Sequence, residues 1–157
     1  MNQSLFGTDG IRGVANEFPI TPEVALRIGR AVARVLQSDG QSRHKVVIGK
    51  DTRLSGYMLE TAITSGLVSE GSRVLLTGPA PTPAVAHLTR SMNCDAGIML
   101  TASHNPYQDN GIKIFGRDGF KLNDELENDI EKMIRADALP QPQGDLGKAI
   151  RIDDAMG

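Results

Sequence analysis

Cysteine is almost missing from this chain of 157 residues: Cys94 stands alone, so no disulfide closes within it and the fold must hold by packing and hydrogen bonding. Its place just ahead of an apolar run suits a buried small hydrophobe better than a reactive thiol. A dominant charge is lacking too, since 17 Lys and Arg against 19 Asp and Glu leave a formal net of −2. That balance offers no global basic field to nucleic acid or to an anionic membrane. Anions must then be held by local cations such as Arg12, Lys50, Arg53 and Lys113, and a small-molecule partner is expected. No stretch approaches the roughly 18 uninterrupted apolar residues that cross a bilayer. The opening MNQSLFGTDG has neither a charged leader nor an apolar signal core, which predicts a cytoplasmic location.

Several familiar motifs are missing as well. His44 stands where a Walker loop needs its first glycine ahead of Gly49-Lys50, and neither GxGxxG nor the GxSxG nucleophile elbow occurs. No internal repeat or low-complexity tract is present.

What is there reads as one α/β domain. At 39% apolar content the chain can bury a single core, roughly 70% of its unfolded surface by size scaling. Thr21-Pro22-Glu23 opens a helix, and Val24, Ile28, Ala31, Val32 and Val35 recur at helical spacing. KVVIG at 45–49 reads as a strand, Ser55 to Glu70 as a helix stopped by Gly71, and RVLLT at 73–77 as a further strand. A short helix through Val85, Leu88 and Thr89 leads to the apolar strand AGIML, then to GIKIF, and Asn123 caps a helix from Asp124 to about Arg135. Alternating strands and helices predict a three-layer α/β/α fold with a mixed, largely parallel sheet, GIKIF pairing antiparallel with AGIML. Residues 1–136 form the expected domain. From Asp137 onward Pro, Gln, Gly and Asp predict a linker over 137–157.

Between AGIML and GIKIF lies the run Thr101-Ala102-Ser103-His104-Asn105-Pro106, followed by YQDNGIK through Lys113. Its serine sits where a buried strand opens into a loop, the edge at which open α/β sheets place ligands. Pro106 fixes one φ and biases Asn105 away from helix, and Asn110-Gly111 is expected to form a tight turn. A phosphorylated serine there would carry a charge of about −1.5 to −2 and act as a phosphoryl donor. Arg12, between Ile11 and Gly13, falls in a segment with too many glycines and charged groups for a regular strand. Its guanidinium can fork onto phosphate oxygens, and Asp9 is an alternative, structural partner. Lys113 can reach back toward Ser103 or remain a solvated strand lysine. Lys50 and Arg53 of GKDTR follow the strand at 45–49, with Asp51 expected to orient the arginine. His44 and His87, without motif context, read as surface or helix-end residues.

TASHNPYQDNGIK resembles the catalytic serine loop of the α-D-phosphohexomutases, FGTDGIRG at 6–13 resembles their amino-terminal motif, and GKDTR is a third match in the right order. The form FGTDGIRG is similar to the branch that acts on glucosamine phosphates. That resemblance implies the first, serine-bearing domain of a longer enzyme interconverting glucosamine 6-phosphate and glucosamine 1-phosphate. Ser103 would pass its phosphoryl group to the sugar phosphate and recover the other phosphate from a bisphosphate. Lys113 and Arg12 would serve proton transfer and charge stabilisation, with His104 in the same site. Arg53, Lys50, Asn105 and Asn110 would bind phosphate or substrate.

The resemblance also implies a magnesium ion that takes one ligand from phosphorylated Ser103. Its remaining ligands would come from a DGDxDR loop that is absent here. Asp109, Asp118, Asp124 and the Asp153-Asp154 pair do not reproduce that spacing and read as turn, capping and surface residues. The sugar-recognition and carboxyl-terminal phosphate-binding loops are absent too, so these residues alone are expected to show no turnover. A mannose or glucose phosphate mutase remains an alternative, as does a sugar-phosphate-binding domain without catalysis.

Overall fold

A computed structural model describes residues 4–40, 43–142 and 144–152, the side chain of Asp39 excepted. A six-stranded sheet runs in the order β1 (Ile11–Val14), β5 (Asp109–Gly116), β4 (Ala96–Leu100), β2 (Lys45–Lys50), β3 (Arg73–Pro79) and β6 (Lys148–Arg151). Only β5 opposes its neighbours: it pairs antiparallel with β1 and β4, while β4, β2, β3 and β6 run parallel. The expected mixed, largely parallel sheet is therefore present.

Strand alternation divides the core into two layers. Ile11, Val46, Ile48, Ile98, Leu100, Ile112 and Ile114 face α1 (Pro22–Leu36), α2 (Ser55–Ser69) and α4 (Asp124–Arg135), whereas Val47, Met99 and Phe115 face Val85 and Leu88 of α3 (Thr82–Ser91). Helix starts follow the capping chemistry in the sequence. Thr21 Oγ1 accepts the Val24 amide at 3.2 Å and Asn123 Oδ1 accepts that of Leu126 at 2.9 Å. Helices α1 and α2 approach backbone to backbone, because Gly29 lies against the Ile63 carbonyl and Gly66 against that of Leu26. A Cβ at either would push them apart.

Three local expectations give way. Ile11–Val14, including Arg12, is a regular strand despite its glycines, since β5 supplies a complete ladder partner. Asn110 and Gly111 lie inside β5 rather than in a turn, because the ladder extends back to Asp109. His44 is buried, only 2% exposed, where it leads into β2.

The stretch beginning at Asp137 is strapped down. Arg27 donates to the carbonyls of Ile134, Ala136 and Asp137, and Arg34 reaches that of Pro140 at 2.6 Å. Glu70 holds Arg30 and Arg34 at 2.9 and 2.8 Å. Gly147 then donates to Val68 at 2.8 Å, and β6 follows as an edge strand. Among the described residues, no helix is long and apolar enough to cross a membrane.

Candidate active site

The carboxyl ends of β2 and β4 open side by side, and the antiparallel start of β5 returns to the same edge. Asp51 follows β2 and donates its amide to Leu100 at 3.1 Å; Thr101 follows β4 and donates to Gly111 of β5 at 3.1 Å. Gly111 stands opposite Arg12 of β1. One row across four strands thus runs Arg12, Gly111, Thr101, Asp51.

Ser103 is exposed at the crest of the loop beyond Thr101, with φ at +55°. A left-handed conformation costs a non-glycine residue about 1–2 kcal/mol, so it persists where hydrogen bonds over-determine it. Here both Ser103 backbone groups are tied. Its amide donates to Thr101 Oγ1 at 3.0 Å, and its carbonyl accepts from Arg53 Nη2 at 2.8 Å. Arg53 Nη1 also donates to the carbonyls of Pro106 at 2.7 Å and Asp109 at 3.1 Å, so one guanidinium spans the loop. Asn105 closes it from within, Nδ2 donating to Asp109 Oδ2 at 3.2 Å.

Asp51 anchors this frame. Its Oδ2 accepts from Arg53 Nε at 2.9 Å and from Thr101 Oγ1 at 2.7 Å, while Oδ1 accepts the Arg53 amide at 3.1 Å. Burial pushes the carboxyl up, but the Thr101 hydroxyl and the Arg53 amide and guanidinium outweigh it and hold Asp51 below its ordinary value.

Arg12 and Lys113 share one sheet face. Arg12 stands opposite Gly111, and Lys113 lies two residues further along β5, so alternation turns both away from Ile11 and Ile112 in the larger core. Arg12 Nε is buried without a hydrogen-bond partner among the described residues. Lys113 is half-buried, and His104 is exposed beside Ser103.

The structure directs Lys50 and Asn110 elsewhere. Lys50, 3% exposed, turns to the α2 side, where Nζ donates to both Glu60 oxygens at 3.1 Å and lies 4.5 Å from the Tyr57 ring centroid. Asn110 is buried, and its Nδ2 donates to Ser55 Oγ at 2.8 Å, tying β5 to the start of α2. Thr101 and Glu60 drew no notice in the sequence, because neither stands out until Asp51 and Lys50 are seen to need partners. Asp153 and Asp154 lie outside the described residues. Among the described residues no three of His, Cys, Asp or Glu converge on a common point for a metal ion.

A largely parallel sheet with a serine loop at its carboxyl edge defines a class. The family profile described as phosphoglucomutase/phosphomannomutase, alpha/beta/alpha domain I, matches residues 3–141, and the chain belongs to that family. Within it, the chain is 59% identical over 157 residues to the phosphoglucosamine mutase of Paracoccus denitrificans (strain Pd 1222), covering 100% of this chain and 35% of the relative. It is 60% identical over 159 residues to that of Sorangium cellulosum (strain So ce56), covering 99% of this chain and 33% of the relative. A solved phosphoglucomutase/phosphomannomutase family protein from Burkholderia thailandensis superposes with a TM-score of 0.79 at 29% identity, over 98% of this chain and 34% of the other. The chain thus spans about a third of the length of the curated relatives it matches.

Proposed function

We propose that this domain supplies the phosphoryl-carrying serine of a cytoplasmic phosphohexomutase that interconverts glucosamine 6-phosphate and glucosamine 1-phosphate. The observation that carries the reading is Ser103 itself: exposed, held in a left-handed backbone by Thr101 and Arg53, at the edge where Arg12 and Lys113 share a face. Relatives named phosphoglucosamine mutase, matched over the whole chain, support the sugar.

In this reading a sugar hydroxyl oxygen attacks the phosphorus on Ser103. The new P–O bond forms as the P–Oγ bond breaks, leaving a bisphosphate. Lys113 takes the hydroxyl proton and returns it to the departing Ser103 oxygen. Arg12, always charged, stabilises the transferred oxygens rather than exchanging protons. Its buried Nε, without a hydrogen-bond partner among the described residues, supports that role, since a buried donor without an acceptor favours an arriving anion. The bisphosphate then turns round and returns its other phosphate to Ser103. His104 and Asn105 lie beside the serine as substrate contacts, Arg53 braces the loop, and Lys50 and Asn110 are taken up by Glu60 and Ser55.

A bound magnesium ion would neutralise phosphoryl oxygen charge during transfer. Phosphorylated Ser103 fits as one of its ligands. Asp51 is taken up by Arg53 and Thr101 and Asp109 by Asn105, and the other protein ligands would come from the remaining domains of the complete enzyme.

Intact-mass analysis of the complete protein before and after phosphatase treatment tests the reading, with Ser103→Ala as control. A phosphate mapped to Ser103 and lost in the variant is expected. Its absence after exposure to glucosamine 1,6-bisphosphate would leave a sugar-phosphate-binding domain instead.

A further inference from the structure

We propose that Asp51 is a positioning residue for phosphoryl transfer at Ser103, holding both backbone groups of that serine through two arms that meet at one carboxylate. The inference rests on the phosphoserine reading above. One arm runs from Asp51 Oδ2 through the Thr101 hydroxyl, at 2.7 Å, to the Ser103 amide at 3.0 Å. The other runs from the same oxygen through the Arg53 guanidinium, at 2.9 Å, to the Ser103 carbonyl at 2.8 Å.

The chemistry of the donors selects a carboxylate. Thr101 has a single hydroxyl proton, and giving it to Asp51 leaves its lone pairs for the Ser103 amide. Asp51 must therefore accept, and it receives three donors: the Thr101 hydroxyl, the Arg53 Nε–H and the Arg53 amide. An ionised carboxylate has lone pairs for all three, whereas an amide of the same shape has one acceptor oxygen and two protons that face donors. Asparagine keeps the volume and loses the match. The depressed carboxyl of Asp51 agrees with an accept-only role.

The consequence falls on Ser103 Oγ, whose place follows from a backbone angle that serine does not adopt by preference. In-line transfer depends on where that oxygen sits, and displacement by about 1 Å costs on the order of 100-fold in rate. No second carboxylate among the described residues touches either arm.

The experiment compares wild type, Asp51→Asn, Thr101→Val and Thr101→Ser in the complete protein. It reads the rate of phosphate uptake onto Ser103 from glucosamine 1,6-bisphosphate, kcat and KM for glucosamine 6-phosphate, and hydrogen exchange of the 101–109 loop. Asp51→Asn and Thr101→Val should each slow uptake and kcat by about 10- to 100-fold with little change in KM, and should speed exchange of that loop alone. Thr101→Ser, which restores the hydroxyl, should recover most of the rate. Should Asp51→Asn fail to fold, the valine and serine variants decide. Wild-type uptake with both Asp51→Asn and Thr101→Val unimpaired overturns the inference, and so does a rate loss that Thr101→Ser does not relieve. A wild-type protein that takes no phosphate on Ser103 sinks the underlying reading and the inference with it.

Discussion

Arg12 stands directly opposite Gly111 in the ladder between β1 and β5, and the room its side chain occupies is the room a Cβ on residue 111 would take. That Cβ would fall 3.0 Å from Arg12 Cγ and 2.6 Å from the Thr101 carbonyl oxygen. The glycine lets three strands close on the candidate site without displacing the arginine.

Gly111→Ala should therefore destabilise the chain by about 1–3 kcal/mol, the usual cost of an extra methyl in a packed place. Because the contact is with backbone, no side-chain rotation relieves it. Denaturant unfolding checks this, and an alanine variant as stable as wild type would contradict the close approach.

Lys50 and Glu60 form a buried pair, with side-chain exposures of 4% and 11%. Lys50→Met alone strands the carboxylate and should cost about 3–5 kcal/mol. Adding Glu60→Leu should recover most of that loss. A double variant no more stable than Lys50→Met would show that the lysine matters for something other than this partner.

Asp51 and Glu131 both hold their carboxyls below the ordinary values of 3.8 and 4.5. Burial raises Glu131, but the Leu5 amide, Arg135 and Ser4 outweigh it. Between each ordinary value and the lower native one, the unfolded chain binds the extra proton, so stability rises with pH there. This contribution is complete above the ordinary value and disappears as pH falls through the native one. Asp51→Asn should flatten the acid limb of unfolding free energy measured on both sides of pH 3.8. An unchanged limb would mean that the carboxylate adds no such term.

Cys94 is fully buried, and burial pushes its thiol up to about 11. Near neutral pH a thiol reagent should label it only when the chain opens, at a rate that denaturant increases. Rapid labelling of the native chain would place the thiol at the surface.

These 157 residues by themselves should convert no glucosamine 6-phosphate, while the complete protein should. A coupled assay for glucosamine 1-phosphate compares the two. Turnover by the isolated chain would show that Ser103, Arg12 and Lys113 need no further loops.

Elements with strong local chemistry were legible in the sequence. Thr21-Pro22 opens α1, Asn123 caps α4, and the five residues of AGIML are the five residues of β4. The serine loop was legible as a motif, at the edge where strand alternation with helices puts it. What escaped depends on partners far along the chain. Ile11–Val14 is a strand because β5 pairs with it, and Lys148–Arg151 because β3 does. Asn110-Gly111 carries hairpin chemistry, yet the ladder extends through it and the glycine answers to Arg12 and Thr101. Lys50 sits beside the loop in sequence, but alternation along β2 sends its side chain through to the other face. Nearness in sequence to a motif says little about which side of a sheet a residue serves.

Both backbone groups of Ser103 are engaged inside the chain, while no hydrogen bond among the described residues passes through its Oγ. The frame from Asp51 through Thr101 and Arg53 is thus closed without that oxygen. On the proposed phosphoserine reading, loading and unloading the serine would break none of these bonds, as a clamp that grips the stem leaves the tip free to be changed.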